Sequence, residues 1–102
     1  MINKQDITTF NFPDNAIILD VRDEDSFSQG HLKGAINKPL SLLDQKFLET
    51  LDKKQTIYLL CGGGSKAPRA AELLEKLDSS REYIVLMGGT RAAKEYGLPI
   101  IE

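Results

Sequence analysis

Thr56-Ile57-Tyr58-Leu59-Leu60-Cys61-Gly62-Gly63-Gly64-Ser65-Lys66-Ala67-Pro68-Arg69-Ala70-Ala71-Glu72-Leu73-Leu74-Glu75-Lys76-Leu77 decides the fold. Its first five residues form an apolar run too short for a helix, which reads as a buried strand. Ala70, Leu73, Leu74 and Leu77 then recur at helical spacing on one face. Pro68 suits the first turn of that helix, where a missing N–H costs little. A strand that passes through glycines straight into a helix is the first half of a parallel crossover unit.

Working outward, the same alternation repeats. Ala16 to Val21 is a second short apolar run, followed by Asp23 to Gln29, a short helix with acids in its first turn and Gly30 as its stop. Ala35-Ile36 reads as a small strand ended near Pro39. Ser41 is the expected N-cap of a helix over residues 42–51, because Leu43, Phe47, Leu48 and Leu51 share a face. Tyr83 to Leu86 is a fourth strand closed by Gly88-Gly89, and Thr90 is expected to cap a last helix that ends at Gly97 and Pro99. Ile7-Thr8 can add a small strand at the start. Continuously apolar strands alternating with helices predict an α/β fold: an open parallel sheet of four to five strands in a three-layer α/β/α arrangement, with helices on both faces. In such sheets the ligand site lies at the carboxyl ends of the strands. Cys61 stands at one such end, and Asp20 to Arg22 at another.

The loop from Cys61 to Ala67 has the chemistry of an anion cradle. Three successive glycines, Gly62, Gly63 and Gly64, open backbone angles closed to other residues and leave no side chains over the loop. Successive N–H groups can then converge as a nest, with the following helix aiming its positive end at the same place. Lys66 and Arg69 add charge nearby. Such a setting stabilises negative charge on the Cys61 sulfur, or an anion approaching it. An isolated cysteine most often simply packs, but a thiol placed between an apolar strand and a triple-glycine loop has a setting that packing alone does not call for.

Composition narrows the classes. The chain has 102 residues, enough for one domain over 1–102, with a formal net charge of −2, so the basic footprint of a nucleic-acid binder is missing. No apolar run approaches the roughly 20 residues of a membrane span. Met1 to Phe12 lacks the basic-then-apolar pattern of a secretory signal, and a cytoplasmic location is expected. One cysteine and one histidine make neither an internal disulfide nor a zinc site, so no metal and no cofactor are expected. His31 follows Gly30 at a helix end and reads as a hydrogen-bonding turn residue, not a general base. Tyr58 alternates within a buried strand and reads as core.

Three segments, in order, resemble the rhodanese family and span most of the chain. Leu19-Asp20-Val21-Arg22, Glu24, Phe27 and Gly30-His31-Leu32-Lys33-Gly34-Ala35-Ile36-Asn37 are similar to its D-V-R…E-F…G-H-I-P-G-A-I-N stretch. Cys61-x-x-Gly64-x-Lys66-Ala67 is similar to its C-x-x-G-x-R-[AS] loop. Leu86-Met87-Gly88-Gly89 with Gly97-Leu98-Pro99-Ile100 is similar to its L-x-G-G…G-L-P-[IV] ending. The resemblance implies a sulfurtransferase. Cys61 would take a sulfane sulfur from a small-molecule donor such as thiosulfate, hold it as a persulfide, and yield it to cyanide or a thiol, including a thioredoxin-like protein. It implies that the backbone from Gly62 through Gly63, Gly64, Ser65 and Lys66 to Ala67 binds the substrate, with Asp20 and Arg22 as candidate supports of the loop. Two departures stand out: Lys66 replaces the usual Arg and lacks its bidentate fork, and Ala93 stands where Trp is common.

Three other functions compete. A Cys-dependent phosphatase or arsenate reductase needs Cys-x5-Arg, whereas positions 66 and 67 are Lys and Ala. A catalytically silent binding module of the same fold would not form a persulfide. A redox sensor using Cys61 would need a thiol from another molecule.

Overall fold

The computed structural model describes residues 1–63 and 65–102. Gly64, one of the three loop glycines, lies outside the described residues. Five strands form one parallel sheet: β1 (Ile2–Asp6), β2 (Ile17–Asp20), β4 (Ile36–Asn37), β5 (Ile57–Leu60) and β6 (Tyr83–Met87). Their order is β1-β6-β5-β2-β4, with every pairing parallel. The expected three-layer α/β architecture is therefore the observed one. A separate antiparallel pair joins β3 (His31–Leu32) to β7 (Ile100–Ile101).

The central strand β5 is buried throughout, as its unbroken apolar run requires. Alternate residues serve opposite faces. Ile57, Leu59 and Cys61 join the core under α3 (Lys66–Leu77), together with Ala67, Ala70, Ala71, Leu74 and Leu48 of α2 (Gln45–Leu48). Tyr58 and Leu60 join the opposite core with Leu32, Leu86 and Ala93 of α4 (Gly89–Tyr96). A short helix α1 (Glu24–Ser28) follows β2 and is capped by Asp23, whose carboxylate accepts from the Ser26 N–H at 2.9 Å.

Three local expectations change. The helix over 42–51 is shorter and is preceded by a 3-10 turn, Leu40–Leu42, so Ser41 is no N-cap. Leu43 adopts an extended backbone that sends its side chain into the core, and Asp44 caps α2 by accepting from the Phe47 N–H at 2.8 Å. At the start, the strand is Ile2–Asp6, and Ile7–Thr9 is a 3-10 turn capped by Asp6. Register with β6 orders this polar edge strand: Ile2 stands opposite Tyr83 and Asp6 opposite Met87. The last helix begins at Gly89 with Gly88 as its N-cap, so Thr90 sits inside the first turn. The left-handed φ of +97° at Gly88 favours glycine, and it turns the chain sharply from strand into helix.

Candidate active site at the carboxyl end of the sheet

Cys61 follows the last residue of β5 and is 3% exposed. Its side chain belongs to the core layer under α3. Its backbone is held from the other side. The Cys61 carbonyl accepts from the Thr90 N–H at 2.8 Å and the Gly62 carbonyl from the Arg91 N–H at 3.0 Å. The first turn of α4 thus satisfies its own unpaired amides on the loop. A trans peptide sets C=O and N–H antiparallel. With both carbonyls turned toward α4, the amides of Gly62 and Gly63 point away from it, toward the side of the sheet that holds the Cys61 side chain.

Gly89 makes this approach possible. Its φ is +62°, and a Cβ there would run into the Cys61 carbonyl oxygen and lie 2.8 Å from that of Gly62. Sequence reading saw the two glycines as the end of a strand. The docking of one helix start on the neighbouring loop needs the sheet order, which places β6 beside β5.

Asp20 and Arg22 stand beside the loop. The Asp20 carboxylate is fully buried and accepts from Arg22 Nε (3.0 and 3.2 Å), Nη2 (2.8 Å) and the Arg22 backbone N–H (3.1 Å). Arg22 Nη2 also donates to the Gly30 carbonyl at 2.8 Å. The Arg22 Cδ lies 3.6 Å from where a Gly62 Cβ would be. Asn37, assigned no role from sequence, donates its side-chain amide to the carbonyls of Asp20 (3.1 Å) and Arg22 (2.9 Å). It thereby fixes the turn after β2.

Lys66 opens α3 and is exposed. With Val21, Asp23, Pro39, Leu40 and Ser41 it lines a shallow pocket of about 330 Å³. Asp23 sits below the usual carboxylate range because the Ser26 amide donates to it, with a smaller contribution from the Lys66 charge. Ser65 precedes α3 without a side-chain capping bond, Ala67 is buried in the core, and Arg69 is exposed. A further cation, Arg91, lies against the glycine loop and was missed from sequence. Its guanidinium carbon is 3.7 Å from the Cβ position of Gly63. His31 stacks on Phe27 with ring centroids 3.7 Å apart, and its Nδ1 donates to the Phe27 carbonyl at 2.9 Å, which fixes the tautomer.

A thiol that follows a central parallel strand and opens a glycine loop leading into a helix defines a class of α/β proteins with a cysteine at the carboxyl end of the sheet. The chain matches the Rhodanese-like domain family over residues 4–96 and belongs to it. Its relatives include the thiosulfate sulfurtransferase PspE of Escherichia coli, 32% identical over 60 residues, 58% of either chain. The uncharacterised protein YqhL of Bacillus subtilis is 39% identical over 74 residues, 72% of this chain and 57% of that one. The chain therefore spans a little over half the length of both. The solved rhodanese-like domain of the Anabaena protein Alr3790 superposes with a TM-score of 0.77 at 31% identity, covering 85% of this chain and 99% of that one. The family is of the sulfurtransferase type. No helix among the described residues is long and apolar enough to cross a membrane.

Proposed function

We propose that the protein transfers sulfane sulfur through a persulfide on Cys61. The Cys61 thiolate attacks the outer sulfur of a donor such as thiosulfate. A new S–S bond forms, the donor S–S bond breaks, and sulfite leaves with the bonding pair. A thiophilic acceptor then attacks the outer sulfur. Cyanide leaves as thiocyanate, a thiol leaves as its persulfide, and the Cys61 thiolate is regenerated. A thioredoxin-like protein is a further acceptor of this kind. No general base is needed, and charge in both steps is met by fixed amides.

The observation that carries this reading is the orientation of the loop. The Cys61 and Gly62 carbonyls are held on α4 amides, which turns the Gly62 and Gly63 N–H groups toward the thiol side of the sheet. The remaining loop positions, Gly64, Ser65, Lys66 and Ala67, complete the proposed substrate cradle, with Asp20 and Arg22 holding the turn beside it.

Intact mass after incubation with thiosulfate tests the covalent step. The wild type should gain one sulfur atom, cyanide should remove it, and Cys61→Ser should gain none. No adduct with thiosulfate, mercaptopyruvate or a desulfurase persulfide would replace this reading with that of a binding module.

A further inference from the structure

A second pocket, of about 460 Å³, lies on the α4 side of the loop. Its lining includes Gly62, Thr90, Arg91, Lys94, Arg22 and Glu102. Cys61 is not part of that lining, and its side chain packs in the opposite layer. We propose that this pocket binds a small organic anion through a carboxylate or phosphate group held by Arg91 and Lys94.

Three observations converge on that ligand chemistry. First, two cations of the lining are unpaired among the described residues. Arg91 and Lys94 are three residues apart on α4 and share a face. Both are exposed, and among the described residues neither makes an ion pair. Arg22 is already paired with Asp20, and Glu102 adds negative charge to the lining without pairing with Arg91 or Lys94. Second, Thr90 lines the pocket while only 7% exposed, and its hydroxyl finds no partner among the described residues. A buried hydroxyl in that state is costly, and an oxyanion or its bridging water supplies the missing partner. Third, the size suits a small organic molecule, since such sites run from about 300 to 1,000 Å³, and a bare inorganic oxyanion would fill only part of it. The Arg91 guanidinium offers the planar fork that carboxylates and phosphates fit. The Thr90 and Arg91 amides hold the Cys61 and Gly62 carbonyls, so an occupied pocket also bears on the loop.

The test is an NMR titration of isotope-labelled protein at constant ionic strength, run on the wild type and on Cys61→Ser. Succinate presents carboxylates alone and methyl phosphate presents phosphate alone, so the two arms separate the sources. Saturable shifts of the Thr90 and Arg91 amides with either probe, in both proteins, are expected. The variant R91Q/K94Q should weaken binding by about tenfold or more, a loss of about 1.4 kcal/mol. Thr90→Val should weaken binding while leaving the unliganded melting temperature unchanged or higher. Shifts that never saturate would overturn the proposal. So would shifts that survive in R91Q/K94Q and vanish instead in Lys66→Gln, which would place the anion on the Cys61 face. Because Cys61→Ser carries the binding measurement, failure of persulfide formation leaves this result intact.

Discussion

Cys61 owes its setting to a residue 28 positions away in the chain. Gly89 lets the first turn of α4 descend onto the loop, and its positive φ adds a second reason for glycine there. Gly89→Ala should therefore do two things. It should destabilise the fold by about 2 kcal/mol or more, from the left-handed backbone and the collision with two carbonyl oxygens. It should also slow sulfur loading of Cys61, because the loop carbonyls would lose their partners. Urea unfolding and timed mass spectrometry read the two effects, and an unchanged urea midpoint would contradict the tight approach. The thiol and its glycine loop were legible from the chain because they form a local pattern, and Asp20 and Arg22 stood out only as candidate loop supports through the family resemblance, without their ion pair. Arg91 and Asn37 were not legible. Arg91 reaches Gly63 only because two neighbouring strands end side by side, and Asn37 acts on carbonyls 15 and 17 residues earlier.

Short elements need help from elsewhere, and α2 shows how. This helix has only four residues, and the carbonyls at and just beyond its end draw further donors from a distant residue. Arg81 supplies the donors. Its buried guanidinium reaches the carbonyls of Leu48 (3.1 Å), Leu51 (2.9 Å) and Asp52 (2.9 Å), and pairs with Asp78 at 3.2 Å. Arg81→Met should cost about 3 kcal/mol, since three carbonyls and a carboxylate lose a charged partner. Arg81→Lys should recover only part of this in urea unfolding, because one ammonium cannot span the same fork. A cost under about 0.5 kcal/mol, typical of surface positions, would show that α2 holds without the guanidinium. Next along the chain, the Tyr83 hydroxyl lies 2.7 Å from the Asp78 carbonyl and 3.1 Å from that of Leu74, closing the end of α3. Burial pushes its pKa up to about 12. Neither role shows in hydrophobic periodicity, which reports faces and not the partners of helix ends. For the same reason the two-residue strands β3 and β7 carry no readable period and formed no part of the sequence expectation.

At the scale of the whole molecule, acid sensitivity follows from three carboxylates that cap turns. Asp6, Asp23 and Asp78 all titrate below their ordinary value of 3.8. The first two are held down chiefly by the backbone amides of Thr8 and Ser26, and Asp78 chiefly by the Ser80 hydroxyl. A carboxylate with a lowered folded pKa binds fewer protons folded than unfolded near that value. Its contribution is complete above 3.8 and is lost as pH falls through the folded value. Urea midpoints should therefore hold level from pH 7 to about pH 5 and decline below about pH 4. Asp78→Asn should shrink that acid decline, and a steep loss between pH 7 and 5 would point to another group. The chain alone determined the fold class and the position of the thiol. Apolar runs and helical spacing record which faces meet a core, and a glycine loop between them is local. Only the tertiary structure decided the strand order, the docking of α4 on the loop, the Arg81 anchor and the pocket beside Arg91 and Lys94. Each of these depends on which distant segments become neighbours, and packing of the two core layers settles that together.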